Sequence, residues 1–376
     1  MVSTSRADAG IYRPLLRALA AEGDWRVTCF VGGTHHDATF GLTAREFRGL
    51  SRVAVVPVRH QAAGDTPARV AASAGRAVAG FGSALAAAPV DLLFVLGDRT
   101  EMLAAALAAT IHGVPLAHLH GGDRTLGAYD DACRAALTKL SHVHFAALPE
   151  HARRIEAMGE DPGRVFTVGA LALDDLRRFR PLSPRSLGRA LGVEWRPPVL
   201  LVVFHPETRS ERPAGEQVAE LAAALAGVEA RCVVVGPNAD VGHAAIRAAW
   251  RRFAAGRAGT AVLAAALDRR RFWSCCVHAQ ALVGNSSAGL LEAASFRLPV
   301  VNIGERQAGR VRPANVIDAP MERGAIAAAI RQALSERFRR GLRGLVNPYG
   351  RGDAARRIIA ALRRLPERRV LLRKAD

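Results

Sequence analysis

The sequence predicts an α/β protein made of two Rossmann-like domains facing a cleft, and three observations carry that prediction. Short runs rich in Val, Leu and Ile recur between longer Ala- and Arg-rich segments of helical character. Most of these runs lack period-two alternation, as expected of parallel strands covered on both faces. The pattern occurs twice, on either side of a segment near residues 177–198 that holds Pro181, Pro184, Pro197 and Pro198. Proline restricts its own backbone and that of the preceding residue, so this segment is the expected hinge. A length of 376 residues agrees with two cores, at roughly 150 residues per domain.

In the first half the candidate strands are residues 53–58, 91–96, 115–119 and 143–147; in the second they are 199–204, 232–235 and 299–303, with a short one at 281–284. Ligands of doubly wound sheets bind beyond the carboxyl ends of the strands, so chemistry is expected directly after these runs.

Composition narrows the partners. Lys and Arg number 52 against 34 Asp and Glu, a formal charge of +18, which on its face suggests nucleic acid. Only Lys139 and Lys374 are lysines, however, so the excess is an arginine habit of the whole chain rather than one phosphate-binding patch. No nucleic-acid partner is expected. The longest uncharged stretch, residues 102–122, is broken by histidines, Gly113 and Pro115, so no membrane span is expected either. Cys29, Cys133, Cys232, Cys275 and Cys276 form neither a C-x-x-C metal clip nor an even disulfide framework, which reads as a reduced, cytoplasmic protein without a metal site.

The strand at 91–96 runs into Gly97-Asp98-Arg99, ahead of a helical pattern. A carboxylate there sits where a cleft opens and desolvation tunes its proton affinity, although Asp98 also suits a helix cap. The strand at 115–119 ends in His118-Leu119-His120-Gly121-Gly122-Asp123, and Asp130-Asp131-Ala132-Cys133-Arg134 opens the next helix. Acids at a helix start and an arginine one turn on form an ordinary capped, ion-paired helix; three acids and two histidines around a glycine-rich turn equally suit general acid/base chemistry. In the second half a strand ends at His205-Pro206-Glu207, where the proline stops the strand and leaves the imidazole at the sheet edge.

The sharpest ligand signal is Gly284-Asn285-Ser286-Ser287, where a strand gives way to small and hydroxyl residues and then a helix, so backbone N–H groups and two hydroxyls converge as for an anion. The ending of a P-loop is absent. Glu292, six residues after Ser286, is within reach of ribose hydroxyls. Arg306 and Arg310 follow another strand and offer guanidinium forks to a diphosphate.

Taken in order, Ser5-Arg6-Ala7-Asp8, Gly97-Asp98-Arg99, His120-Gly121-Gly122-Asp123, Asp130-Asp131-Ala132-Cys133-Arg134, Phe204-His205-Pro206-Glu207-Thr208, Gly284-Asn285-Ser286-Ser287 and Asn302-Ile303-Gly304-Glu305-Arg306-Gln307 closely resemble the UDP-N-acetylglucosamine 2-epimerases, in particular their hydrolysing branch. The resemblance covers about residues 3–320 and is specific as a set. It implies a glycosyltransferase-B-like architecture. Residues 1–177 would form the acid/base domain and residues 178–349 the UDP-binding domain, with a helix at about 350–366 packing back on the first. It further implies a homodimer with no cofactor.

The implied reaction eliminates UDP across C1 and C2 of a UDP-sugar to a 2-acetamidoglycal and then adds water with the opposite configuration at C2. The products are UDP and either free N-acetylmannosamine or, from UDP-N,N'-diacetylbacillosamine, its 2,4-diacetamido-6-deoxy counterpart, which feeds sialic or other nonulosonic acid synthesis. By motif match, Asp98 and Asp130 are the leading acid/base pair, followed by Asp131. His205 would assist the leaving diphosphate or the water. Arg6, Arg134 and Arg306 would face the nucleotide sugar, Ser286 and Ser287 the phosphate within the Gly284-Asn285 turn, and Glu292 the ribose.

Two departures stand against the family pattern. Many relatives carry an acid where this chain has His120, so the imidazole or Asp123 takes that proton transfer. Only Met1 to Ser5 precede Arg6 where relatives have a complete strand, which suggests a start assigned too late or a weakened first domain. The alternatives are a non-hydrolysing 2-epimerase, whose usual glutamate-alanine-glycine turn is absent, and a UDP-sugar glycosyltransferase on the same fold.

Overall fold

A computed structural model of the protein describes residues 1–47, 49–61 and 64–374. The first half contains strands β1 (Val2–Ser3), β2 (Val27–Gly32), β3 (Val53–Val58), β4 (Leu93–Leu96), β5 (Leu116–Leu119), β6 (Val143–Ala146) and β7 (Val165–Thr167). All of their ladders are parallel, in the orders β1-β2-β3 and β4-β5-β6-β7. β1 packs beside β4, so the two ladders make one layer. The second half contains β8 (Val199–Val203), β9 (Arg231–Val235), β10 (Ala261–Ala264), β11 (Ala281–Gly284), β12 (Val300–Ile303) and β13 (Val316–Ala319). They form one parallel sheet in the order β10-β9-β8-β11-β12-β13. Both sheets reverse direction beside their first strand, the doubly wound plan, and the fold is glycosyltransferase-B-like.

Burial explains the sequence pattern. Every residue of β4, β5, β6, β8, β11 and β12 is buried, which is why these runs show no alternation. In the second sheet, Leu221, Trp250 and Ile330 from three helices cover one face. Phe272, Trp273, Cys275 and Cys276 of helix Arg269–His278 cover the other, the cysteines packing as small apolar groups.

Five strands escape the sequence reading: β1, β2, β7, β10 and β13. β7, β10 and β13 end their sheets and are only partly buried, so their apolar runs are diluted. β1 is a two-residue ladder, Val2 opposite Phe30 and Ser3 opposite Val31. A second correction concerns apolar length: helix Pro67–Ala87 is long and apolar enough to cross a membrane by composition, which the search for uncharged stretches misses because Arg69 and Arg76 interrupt it. In the fold one face of this helix, Ala77, Phe81 and Leu85, packs into the first core.

After the second sheet the chain returns to the first. Ile358, Ile359 and Leu362 of helix Ala354–Leu362 are buried in the core that contains β2, β4 and β5. Asp174 accepts hydrogen bonds from the amides of Ala354 (3.0 Å) and Ala355 (2.6 Å), satisfying two donors at the start of that helix.

Candidate active site

The carboxyl ends of the two sheets open onto one cleft with a cavity of about 240 Å³. Arg6, Asp98, His120, Asp123, Asp130 and Arg134 line it from the first half, and His205, Ser286, Ser287, Glu292 and Arg306 from the second. Asp131, Gly284 and Asn285 do not line it and act on those that do.

On the first side, Arg6 opens helix Arg6–Glu22, whose start is fixed by Asp8: its carboxylate accepts from the amides of Thr4 (2.8 Å) and Ser5 (2.9 Å). Asp98 follows β4 after Gly97, a residue with φ of +71° that turns the chain into the cleft. Asp98 Oδ2 accepts a hydrogen bond from Arg134 and another from Thr125 Oγ1 at 3.3 Å. Asp131 accepts from the Thr125 amide at 2.7 Å and lies 3.5 Å from Arg134, so it braces the arginine that pairs with Asp98.

The two aspartates differ in charge. Burial works against ionisation of Asp98, but the guanidiniums of Arg134, Arg310, Arg306 and Arg99 outweigh it and hold the carboxyl below its ordinary range. Asp130, at the start of the next helix, is pushed up to about 7 by burial and by the negative charges of Asp98 and Asp240. Its Oδ2 is buried without a partner among the described residues. At neutral pH an ionised carboxylate therefore sits beside a second carboxyl that is about half protonated, so one can take a proton while the other can give one, as acid/base catalysis needs.

His120 adopts φ of +61°, uncommon for a residue with a Cβ, while its amide donates to Phe145 at 3.0 Å. Burial lowers its imidazole to about 4, so the ring is neutral. Burial also opposes ionisation of Asp123, yet Arg310 (3.3 Å), Arg134 and His151 (3.4 Å) hold it below the usual carboxylate range.

On the second side, Asn285 ties the ends of β8 and β11 together: its Oδ1 accepts from the His205 amide (2.8 Å) and its Nδ2 donates to the His205 carbonyl (2.9 Å). Gly284, at φ +140°, lies so close to the Val203 carbonyl that a Cβ would overlap it. His205 Nδ1 accepts from the Asn238 amide at 3.1 Å, so in the neutral ring Nε2 carries the proton. Burial and the Arg306, Arg99 and Arg6 charges keep that ring neutral, far below the ordinary histidine range.

Ser286 caps the short helix Ser287–Leu291, accepting from the Ala288 amide at 3.4 Å. Glu292 Oε2 accepts from Trp273 Nε1 at 2.5 Å and lies 3.6 Å from Arg269. Arg306 donates from its side chain to the Asn285 carbonyl (3.3 Å) and from its amide to Glu207 (3.1 Å). Sequence reasoning names Arg310 only as a companion of Arg306, Arg99 only as part of a motif, and misses Arg269 and Asp240, because one arginine among fifty carries no signal until the fold places it. Among the described residues no cluster of three His, Cys, Asp or Glu side chains could hold a metal ion.

Two opposed doubly wound sheets, with paired aspartates on one and an arginine-flanked turn on the other, enclose a cleft of glycosyltransferase-B architecture. The chain belongs to the UDP-N-acetylglucosamine 2-epimerase family, whose model matches residues 17–363. It is 32% identical over 377 residues to the UDP-N,N'-diacetylbacillosamine 2-epimerase (hydrolyzing) of Legionella pneumophila, covering 100% of this chain and 98% of that one. It is also 32% identical to the polysialic acid biosynthesis protein P7 of Escherichia coli, covering 94% and 90%. Among solved structures, the UDP-GlcNAc 2-epimerase from Neisseria meningitidis bound to UDP-GlcNAc superposes with a TM-score of 0.81 at 17% identity, covering 97% and 99%.

Proposed function

We propose that the protein is a hydrolysing 2-epimerase of a UDP-2-acetamido sugar, releasing UDP and an N-acetylmannosamine-type sugar for sialic or other nonulosonic acid synthesis. The observation that carries this reading is that Asp98, ion-paired with Arg134, and Asp130, whose carboxyl is pushed up to about 7, line one cleft. Asp98 takes the C2 proton; the C–H electrons form the C1=C2 double bond and the C1–O bond breaks with its electrons leaving on UDP. His205, neutral throughout, donates a hydrogen bond from Nε2–H to the departing diphosphate, a role its fixed tautomer allows, with Arg306 and Arg6 supplying positive charge. Asp130 then protonates C2 from the opposite face while water adds to C1.

The water's proton goes to Asp123 rather than His120. Protonating Asp123 makes a neutral group, whereas protonating His120 would add a buried cation beside Arg310 and Arg134. Ser286, Ser287 and Glu292 line the same cleft, and in this reading the two serines take the phosphate and Glu292 the ribose. The names of the relatives divide between a diacetylbacillosamine and a polysialic acid context, so both UDP-sugars enter the test. Apolar Leu107 and Ile111 are exposed on helix Thr100–Ile111, which packs against Pro67–Ala87, and this face supports a homodimer. Five unpaired cysteines suit the reducing cytoplasm.

The test is an NMR time course in deuterated water with UDP-N-acetylglucosamine and with the 2,4-diacetamido-2,4,6-trideoxy substrate. Free UDP together with a free 2-epimeric sugar deuterated at C2 is the expected result. An epimer still joined to UDP would replace this reading with the non-hydrolysing reaction, and turnover only with an added acceptor would replace it with glycosyl transfer.

A further inference from the structure

Asp240 lies in the loop between β9 and helix His243–Ala255, in the second half of the chain, and is buried. Its Oδ1 is 3.4 Å from Arg99, which follows β4 of the first sheet, and its Oδ2 is 3.6 Å from Arg306, which follows β12 of its own. These two arginines are the cations that also face Asp98 and Asp130. The same loop sets the His205 tautomer through the Asn238 amide. It also meets the first half beyond the cleft: the amides of Gly242 (3.3 Å) and Ala244 (2.8 Å) donate to the Asp65 carbonyl and carboxylate.

We propose that Asp240 is a positioning residue for the acid/base pair: a carboxylate delivered by the second domain that fixes Arg99 and Arg306 and completes the charge environment of Asp130 when the domains meet. The inference rests on the acid/base reading of Asp98 and Asp130. An ion pair across the cleft is a plain structural clamp if it only holds the domains together; what makes Asp240 more than that is that it lines one small cavity with Arg99 and Asp130, the group whose proton must be retained. Asp130 is faced by Asp98 and Arg99 after β4, by Arg306 and Arg310 after β12, by Asp240, and on its own segment by Tyr129 and Cys133. Loss of the Asp240 charge removes a repulsion that favours the protonated acid and frees two cations that favour the carboxylate. Both changes have one sign: Asp130 loses its proton at lower pH.

The experiment follows the Asp130 carboxyl by 13C NMR across pH in the full-length protein labelled at aspartate Cγ, with the resonance assigned by Asp130→Asn. Asp240→Asn is expected to lower its midpoint by at least one pH unit, and Asp240→Glu to recover more than half of that shift. In turnover, the alkaline limb of the kcat profile moves down with the midpoint, about tenfold lower rate per unit above it, while KM changes less than threefold. Asp240→Ser is made alongside, so that a folding defect in one charge-free variant does not decide the result. An unmoved Asp130 midpoint in the charge-free variants, or a Glu variant no different from Asn, overturns the proposal. Absence of UDP-sugar turnover by the unaltered protein would instead overturn the proposed function, and the NMR midpoint would still decide the role of Asp240.

Discussion

At the scale of single residues, the site works by giving chemically identical side chains different charges. Asp98 and Asp130 are both aspartates near the same arginines, yet the direct contact with Arg134 keeps one ionised, while burial and then the like charges of Asp98 and Asp240 raise the other to about 7. Asp98→Asn retains the shape and loses the base, so turnover should fall by about 10³-fold or more while UDP binding, carried by the other sheet, changes less than threefold. Parallel rate assays and UDP titration calorimetry check this, and an Asn variant with turnover within tenfold of the original would remove Asp98 from the mechanism. Which acids stand after strands was legible in the sequence, because a strand end, a glycine and a carboxylate are local features. Their protonation was not: the order of Asp98, Asp130 and Asp240 along the chain does not reveal that three carboxylates and four arginines meet.

At the scale of elements, the sheet centres were legible and their margins were not. β8 and β11 are uninterrupted apolar runs because both faces are covered, whereas β13 mixes Asp318 into an outer strand and β10 reads as part of an alanine-rich segment. The turn after β11 shows a further kind of blindness. Its Gly284-Asn285 pair reads as anion-binding, but in the fold the asparagine side chain bonds both backbone groups of His205, and the glycine gives the room for the strands to approach. Gly284→Ala puts a Cβ into the Val203 carbonyl at a left-handed φ, and should cost about 3 kcal/mol of stability. Urea unfolding measures it; a loss below about 0.5 kcal/mol, the range of neutral surface changes, would show that the two strand ends are not locked as described.

At the scale of the whole molecule, Asp98 and Asp130 follow strands of one sheet and Ser286 and Ser287 a strand of the other, so the proposed chemistry requires the halves to meet. They meet closely around Gly127: the Leu126 amide donates to the Ala308 carbonyl (3.1 Å), and the Tyr129 amide to Thr208 Oγ1 (3.1 Å). Gly127 itself touches the Glu305–Arg306 backbone, and its α-position leaves no space for a methyl group there. The nearest atoms to that methyl all belong to the other half, so Gly127→Ala should leave each half folded and hold the two apart by the width of one carbon. A tenfold or greater loss of kcat is expected, because Arg306 and Asp240 would no longer reach Arg99 and Asp130 with their present geometry, and a misplacement near 1 Å costs about 100-fold in such sites. Amide hydrogen exchange at Leu126 and Tyr129, whose bonds cross between the halves, together with a thermal melt, separates this from misfolding: the melt should match the unaltered protein while those two amides lose protection. A variant that melts normally, keeps those amides protected and turns over normally would mean that the close approach at Gly127 is incidental.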